Sequence, residues 1–579
     1  MPPKFVSFPP SVRPHIYLIL VLITTIVVYW PGLAGPLLLD DVPNLHHLQK
    51  YGEGAISLKE VFYLSSHGMT RPLSILSFIG NWVTTGENIW FLKFTNLVIH
   101  LLCGVLIYRI SCLLLVYDFV NKASAARNIA VWITALWLLS PFLLSTVLYV
   151  IQRMAQLSAF FTLCGLLFYI KGRIKYGENQ SSGTPMLIVS ILLFWPLATL
   201  SKQNGLLLPL LLLIVEFFFF YKDSNLVHIK KLRTILISLS LLPGLIICGW
   251  VMIAPESLIG DYQERSFSLY ERLLTQPRVL LDYIGNLLLL PIASPMSLFH
   301  DDYPKSTALL TPVTTLPSLI ICILALLSAF SAAHKKTGTF LFGIIFFFAA
   351  HLVESTFIPL ELYFEHRNYL PAFGIYFSIV TGTTLLLSKL KTRNFAIIAL
   401  LIVPFTFSVY TYQRSVKWQK LTSIFFMSEI THPESPRLNE GIAFLYLLIH
   451  DSNAALHYLD KVSVMDDKQH PPEFYFKYLL AYCQAKKAMP EEDYPSKFNI
   501  TSLSNDLTTV NYFRVFVDNV EANKCDSLDL NKITARLKLA VENRNHHYDL
   551  GLTSHVNILL DRLLIYLRRD KEQKALGEP

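Results

Sequence analysis

The chain alternates long apolar runs with short polar breaks. Runs such as "LLLPLLLLIVEFFFFY", residues 206–221, lack the period of two that marks a strand. Most approach the ~20 residues that a helix needs to cross a lipid bilayer, which favours spanning helices over a closed barrel. The pattern predicts spans near 16–38, 91–116, 128–149, 156–170, 185–200, 205–221, 233–253, 314–332, 339–357, 371–388 and 394–411, eleven in all. A further stretch, "VLLDYIGNLLLLPIASP" at 279–295, is read as interfacial or re-entrant, because a span there would reverse the charge pattern of the loops that follow. The first apolar segment resembles a signal peptide, with a basic start and "GLAG" near its end, but ten spans follow it and an uncleaved anchor is expected.

Beyond residue 412 the pattern changes to amphipathic helices separated by polar breaks, as in "RLNEGIAFLYLLIH", "NAALHYLDKV" and "VNILLDRLLIYLRR". The segment from Pro436 to Asp467 approaches the ~34 residues of a tetratricopeptide unit, with Ala455, Leu456 and Tyr458 on its second helix. The expected organisation is an all-α chain: a membrane domain over 1–411 with external loops at 40–90 and 255–312, then a helical, tetratricopeptide-like domain over 412–579.

Composition agrees with the pattern. A mean hydropathy of +0.45 with only 16% charged residues gives more apolar surface than a soluble core of 579 residues needs. With the N-terminus inside, every interior loop is basic: Lys122 and Arg127, then Lys171, Arg173 and Lys175, then Lys222, Lys230, Lys231 and Arg233, then Lys335 and Lys336, then Lys389, Lys391 and Arg393. The net charge of +8 is therefore assigned to loops meeting anionic membrane lipid, and no nucleic-acid partner is read from it. Of seven cysteines, Cys483 and Cys525 alone fall in the tail, where an oxidising compartment would let them bridge.

Polar residues on the external side break the positive-inside bias and so need a partner or a purpose. In "LLLDDVPNLHH" the chain leaves its first helix and presents Asp40 and Asp41. A partly desolvated carboxylate there suits proton abstraction from a hydroxyl, while an acidic pair marking a helix end is the plainer alternative. The same face carries His67 and Arg71 in "HGMTRPLSILSF", then Gln152, Arg153 and Gln156 in "SPFLLSTVLYVIQRMAQLSAFF". Lys202 follows in "LATLSKQNGLLLP", Arg265, Arg272 and Arg278 in the large loop, and Glu365, His366 and Arg367 in "YFEHRNYLPAFG". Were residues 265–278 helical, Arg265 and Arg272 would share a face; snorkelling arginines are the structural alternative. Glu365 is expected to orient the Arg367 fork. Cations gathered around one acidic pair describe a site for a phosphate-bearing lipid and a hydroxyl acceptor, and hence glycosyl transfer. Asn96, His100 and Glu216 are polar positions within spans, open to function or to helix-to-helix hydrogen bonding.

In order, "TRPLSILSFIGNW", "FTNLVIHLL", "SPFLLSTVLYVIQRMAQLSAFF", "LSKQNGLLLP", "ERLLTQPRVLLDYIG" and "LELYFEHRNYLP" resemble the membrane half of bacterial GT-C glycosyltransferases with tetratricopeptide-like tails. That group includes pilin-glycosylating enzymes and is distantly similar to transmembrane/TPR O-mannosyltransferases. The resemblance implies a GT-C fold in a bacterial inner membrane, a polyprenyl-phosphate-linked sugar as donor, an acceptor protein or glycan, and inversion at the anomeric carbon. It puts Asp40 or Asp41 in the base position, with Arg71, Arg153, Lys202 and Arg367 as donor-phosphate contacts, to which the residue pattern adds Arg265, Arg278 and His366. The chain departs from the family in having Ser145 and Gln203 where acidic residues are common. No cofactor is implied, and a divalent metal, though compatible with the chemistry, is not indicated. A flippase or transporter of lipid-linked glycans, or a membrane-anchored assembly protein, are the other classes considered; no inverted repeat supports the former.

The charge pattern makes one direct prediction. A phosphatase fused near residue 420 is expected to be active outside the cytoplasm and one fused within "HKKTG" inactive; activity at the latter would restore the twelfth span.

Overall fold

A computed structural model of the chain describes residues 14–65, 70–118, 123–178, 182–221, 227–253, 262, 265–289, 295–332, 338–389, 393–465, 471–490, 507–542 and 550–576. His67, Lys122, Lys222, Lys335, Lys336 and Lys391, named above, lie outside these residues. The regular structure among the described residues is helical, with a single isolated bridge between Ala308 and Thr311 and no strand. They form two compact units: residues 1–298 with 303–423, and residues 299–302 with 424–579.

In the first unit five helices are long and apolar enough to cross a membrane: Pro14–Ala34, Ile89–Tyr117, Val150–Gly177, Gly183–Ser201 and Ile229–Ile253. A sixth arises if Ala123–Leu138 and Pro141–Leu148, bent by 48° at their junction, count as one span. Other expected spans are represented by shorter apolar helices, among them Gln203–Phe219, Thr315–Ser331, Gly338–Ala350 and Ala372–Leu387, so a count of eleven is not reached by length and composition among the described residues. The long helices turn apolar side chains outward: Ile16, Ile19, Leu20, Ile23 and Val27 on the first, Leu241, Leu242, Leu245 and Ile246 on Ile229–Ile253. Such stripes are stable only against lipid or protein, and the chain is a membrane protein.

Two breaks in the helices shape this unit. The first follows Leu138, where Pro141 lacks the N–H that would continue the ladder. Carbonyls freed around it are taken by side chains from distant helices. His100 Nε2 meets Leu138 O at 3.1 Å, Thr411 Oγ1 donates to Leu139 O at 2.7 Å, and Arg414 Nη1 donates to Pro141 O at 2.7 Å. Asn96 Nδ2 spans Val147 O and Val150 O, both at 3.2 Å.

The second break is longer. The helix expected over 339–357 stops at Ala350, and residues 351–364 run as turns and extended chain before the short turn Glu365–Asn368. Arg272 collects the carbonyls of Glu354, Thr356, Leu360 and Glu361, Arg265 takes Pro359 O, and Gln276 takes Leu362 O. On either side of this segment, Gly338–Ala350 and Ala372–Lys389 approach backbone to backbone, because a Cβ on Gly343 or Gly374 would strike the carbonyl of the other. The helix Leu269–Leu287 accounts for part of the 279–295 stretch. A capping box of Ser268 and Glu271 starts it, and its buried face is polar, with Arg272, Gln276, Arg278, Asp282 and Asn286, as befits a helix that ties loops rather than one that crosses lipid.

The second unit stacks helices Pro436–Leu448, Ser452–Met465, Pro472–Ala485, Leu507–Glu521, Leu530–Glu542 and Leu550–Leu576 around a core that includes Phe474, Phe476, Tyr478, Phe513, Phe516 and Leu563. Phe476 and Phe513 stack at 5.0 Å, the recurrence of apolar residues about once per helical turn having brought one face of each helix inward. Ser435 caps Pro436–Leu448, and Asp301 binds the Ser435 hydroxyl at 2.6 Å and the Arg437 N–H at 3.0 Å. Cys483 and Cys525 form a disulfide across a sequence separation of 42. Closing a loop of that length stabilises by about 4 kcal/mol in the chain-entropy account. Replacing both cysteines by alanine in the full chain is therefore expected to make this unit markedly easier to digest or unfold, by an amount that reductant reproduces in the parent. Equal resistance in the two proteins would mean that the bond does not form.

Candidate functional site

The segment that follows the first helix is a strap pinned at several points. Leu39 takes a left-handed φ of 33°, a strained choice for a side chain with a Cβ, and the chain reverses there so that Asp40 and Asp41 diverge. Asp41 is fully buried at the start of the helix Asp41–Gly52. Its Oδ2 accepts from Leu38 N at 2.9 Å and its Oδ1 from Ile151 N at 2.7 Å, so it joins the strap to the turn that follows the first break. Burial pushes its carboxyl up to about 7, against the lowering effect of these two N–H groups and of the Lys93 charge. Lys93 in turn fixes the strap through Pro36 O at 2.9 Å. Asp40 is held differently. Its N–H donates to Tyr149 Oη at 2.8 Å, while its side chain is exposed.

Close to Asp40, three of the expected cations form one electrostatic cluster. The charges of Glu354 and Asp40 both act on Arg71, whose Nε donates to Gln203 Oε1 at 3.0 Å and whose Nη1 points at Met154 Sδ at 3.3 Å. Lys202 donates to Glu354 Oε1 at 2.6 Å, and both side chains are buried. Arg367 lies over the Phe364 ring, donates to Leu362 O at 3.2 Å, and lends its charge to Glu354 and Lys202. His366 stacks on Phe364 at 5.0 Å. Desolvation, then the charge of Lys202, hold its imidazole well below the ordinary histidine value, so at neutral pH it is a neutral hydrogen-bonding group. Desolvation likewise lowers Lys202, and the charge of Glu354 opposes that. Arg71, Lys202 and Arg367 thus share one buried carboxylate and one exposed one, which leaves a partly desolvated surplus of positive charge suited to an anion.

Several of the expected contacts are bonded to groups of the protein itself. Arg153 is fully buried, with Nε on Asn96 Oδ1 at 2.8 Å, Nη1 on Ser77 O at 3.0 Å, Nη2 on Leu92 O at 2.8 Å, and its guanidinium 4.4 Å from the Phe78 ring centre. Arg265 pairs with Glu361 at 2.7 Å and precedes the helix that carries Arg272, so the two do not share a helical face. Arg278 donates to Pro304 O at 2.7 Å and lies over Tyr303. Glu365, expected beside the Arg367 fork, is engaged by a more distant cation. Both its oxygens accept from Arg414 Nη2, at 2.8 and 2.7 Å, and Arg414 also holds the first break. Within the spans, Glu216 binds Arg173, Arg233 and Tyr169, and Asn96 and His100 serve the break, so all three join helices.

Glu354, Arg414 and Tyr149 were not singled out from sequence. Glu354 carried a usable signal, since a carboxylate inside a predicted span is a default functional position; Arg414 looked like an ordinary charge beside a domain boundary. Among the described residues no group of three or more histidines, cysteines and carboxylates could hold a metal ion. An open cavity of about 380 Å³ borders the strap at Gly35 and Pro36, with Glu87, Asn88, Trp90 and Gln419 in its wall; none of the clustered cations lines it.

The Glu365–Arg414 pairing makes a testable claim. Removing one partner of a buried ion pair costs about 3–5 kcal/mol, and removing both costs less. In a double-mutant cycle on thermal stability, Glu365→Gln and Arg414→Met are expected to couple strongly, and Glu365→Gln with Arg367→Gln weakly; the reverse order would restore the 365–367 pair.

Comparison with protein-family models, with characterised proteins and with solved structures finds no match to this chain.

Proposed function

We propose that the chain is an inverting GT-C glycosyltransferase that moves a monosaccharide from a polyprenyl-phosphate donor to an extracytoplasmic hydroxyl, on a protein or a surface glycan. The observation that carries this reading is the cluster itself: an exposed carboxylate, Asp40, in electrostatic contact with Arg71, which shares Glu354 with Lys202 and Arg367. Asp40 is the better base. Its side chain is accessible, whereas the Asp41 carboxylate is spent on two backbone N–H groups and acts by positioning the strap.

In the reaction, Asp40 takes the proton of the acceptor hydroxyl as its oxygen attacks the anomeric carbon. The bond from that carbon to the phosphate oxygen breaks, and the polyprenyl phosphate leaves with the electron pair. Charge grows on the phosphate as the bond breaks, so the cations of Arg71, Lys202 and Arg367 bind the transition state more tightly than the ground state. His366, neutral, contributes a hydrogen bond. The eleven spans, an N-terminus in the cytoplasm and a tetratricopeptide-like tail in the periplasm of a bacterial inner membrane belong to this proposal. The Cys483–Cys525 disulfide supports the location of the tail, since such bonds persist in oxidising compartments.

The test is transfer from synthetic polyprenyl-phosphate sugars in detergent, at matched amounts of folded protein. Asp40→Asn is expected to abolish transfer, and Asp41→Asn to lower the yield of folded protein as well as the rate. Arg367→Lys keeps a charge but loses the fork, and should cost on the order of 100-fold. Near-parental transfer by Asp40→Asn would exclude it as the base, and near-parental transfer by Arg367→Lys would remove Arg367 from the phosphate site.

A further inference from the structure

Glu354 stands out in a cluster built for an anion because it is itself an anion. Its backbone is fixed, with its carbonyl accepting from Arg272 Nη2 at 2.7 Å and its N–H donating to His351 O at 3.1 Å. Its carboxylate is buried, and only one oxygen is used: Oε1 takes the Lys202 ammonium, while Oε2 has no hydrogen-bond partner. A carboxylate oxygen kept from water without a donor forfeits about 1–3 kcal/mol or more, so such an atom in a candidate site marks the place of a missing donor. The charges of Lys202 and Arg367 both bear on this group, which puts the vacant acceptor within the cationic cluster and not in a separate void.

The ligand that satisfies both features carries two kinds of group side by side. Its anionic part neutralises Arg71, Lys202 and Arg367. The part that meets Oε2 cannot be anionic, because two negative charges would then share one desolvated space; it must be a neutral O–H or N–H donor. A bare polyprenyl phosphate supplies the first and lacks the second. A polyprenyl-phosphate sugar supplies both, since its ring hydroxyls, or an acylamino N–H, lie near the phosphate. Resting on the glycosyl-transfer reading, we propose that Glu354 is the specificity residue of the donor site: its Oε2 accepts a hydrogen bond from the sugar and thereby distinguishes glycosylated from unglycosylated lipid phosphate. Discrimination of this kind is effective because the wrong ligand leaves the buried oxygen unpaired. It also serves the reaction, since the spent lipid phosphate is then the weaker ligand and departs.

Glu354→Gln tests this without changing size. Its amide oxygen can still accept from Lys202, and its NH₂ replaces the acceptor at the Oε2 position with a donor. The full-length protein in nanodiscs is titrated with bare polyprenyl phosphate and with polyprenyl-phosphate glucose, galactose, mannose and N-acetylglucosamine; Lys202→Gln is the control that weakens the phosphate grip, and thermal unfolding confirms that each variant is folded. The parent is expected to prefer at least one glycosylated lipid over the bare one by ~10-fold or more, as a hydrogen bond to a charged group allows. Glu354→Gln should bind bare lipid as well as the parent or better and lose most of that preference, whereas Lys202→Gln should weaken all the lipids together. Equal loss of both lipid classes in Glu354→Gln would leave Glu354 as a mere support for Lys202 and overturn the inference while the phosphate site stands. A parent with no preference for any sugar also overturns it. Failure of the parent to bind any of these lipids would instead sink the glycosyl-transfer reading on which the inference rests.

Discussion

A broken helix in an apolar medium must find partners for the carbonyls it frees, and this requirement organises the membrane unit. Water is not there to supply them, and each unpaired group costs several kcal/mol in a hydrocarbon surrounding. The chain meets the requirement with long cationic forks. Arg414, Asn96, His100 and Thr411 close the break after Leu138, and Arg272, Arg265 and Gln276 close the longer one from 351 to 364. A guanidinium does this well because it presents several donors in a fixed plane and remains charged when desolvated. The same contacts bind helices far apart in sequence, so the breaks, which look like weaknesses in the ladder, become the points at which the helices are joined.

That accounting separates the polar residues into two groups. Arg153, Arg265, Arg272, Arg278 and Arg414 are committed to carbonyls and carboxylates. Arg71, Lys202, Arg367 and Glu354 are bonded to each other or sparsely, and Asp40 stands at their edge. Positive charges left desolvated in surplus are costly, and a cost retained beside an accessible carboxylate has the character of a site. The strap extends the argument to Asp40, since Asp41, Lys93 and Tyr149 hold its backbone while its side chain stays exposed beside the Tyr149 hydroxyl.

Much of this was legible in the sequence. The apolar runs gave the helices, and charges on the wrong side of the expected membrane marked the polar face that holds Arg71, Lys202, His366 and Arg367. What could not be read was the partner of each charge. Arg153 looked no different from Arg367, because its partners include the carbonyls of Ser77 and Leu92, and a backbone atom leaves no trace in composition. Glu365 is assigned to its neighbour Arg367 because proximity in sequence is the only guide to a partner, and the bonds of both its oxygens to Arg414 leave no sign there. The end of the helix at Ala350 was also hidden, since "HLVESTFIPL" is apolar enough to continue a span, and it is the carbonyl bonds of Arg272 that hold it unwound. Between Asp40 and Asp41 the sequence does not choose, because the two N–H groups that occupy the Asp41 carboxylate belong to the backbones of Leu38 and Ile151.

The central claim is that the surplus cations of the external face hold a phosphate beside Asp40. A cryo-electron microscopy map of the full chain in nanodiscs with a bound polyprenyl-phosphate sugar examines it most directly. The account predicts phosphate density within hydrogen-bond distance of Lys202 and Arg367, the sugar against Glu354, and its anomeric carbon facing Asp40. A headgroup bound elsewhere, with Lys202 and Arg367 in contact only with protein, would contradict it.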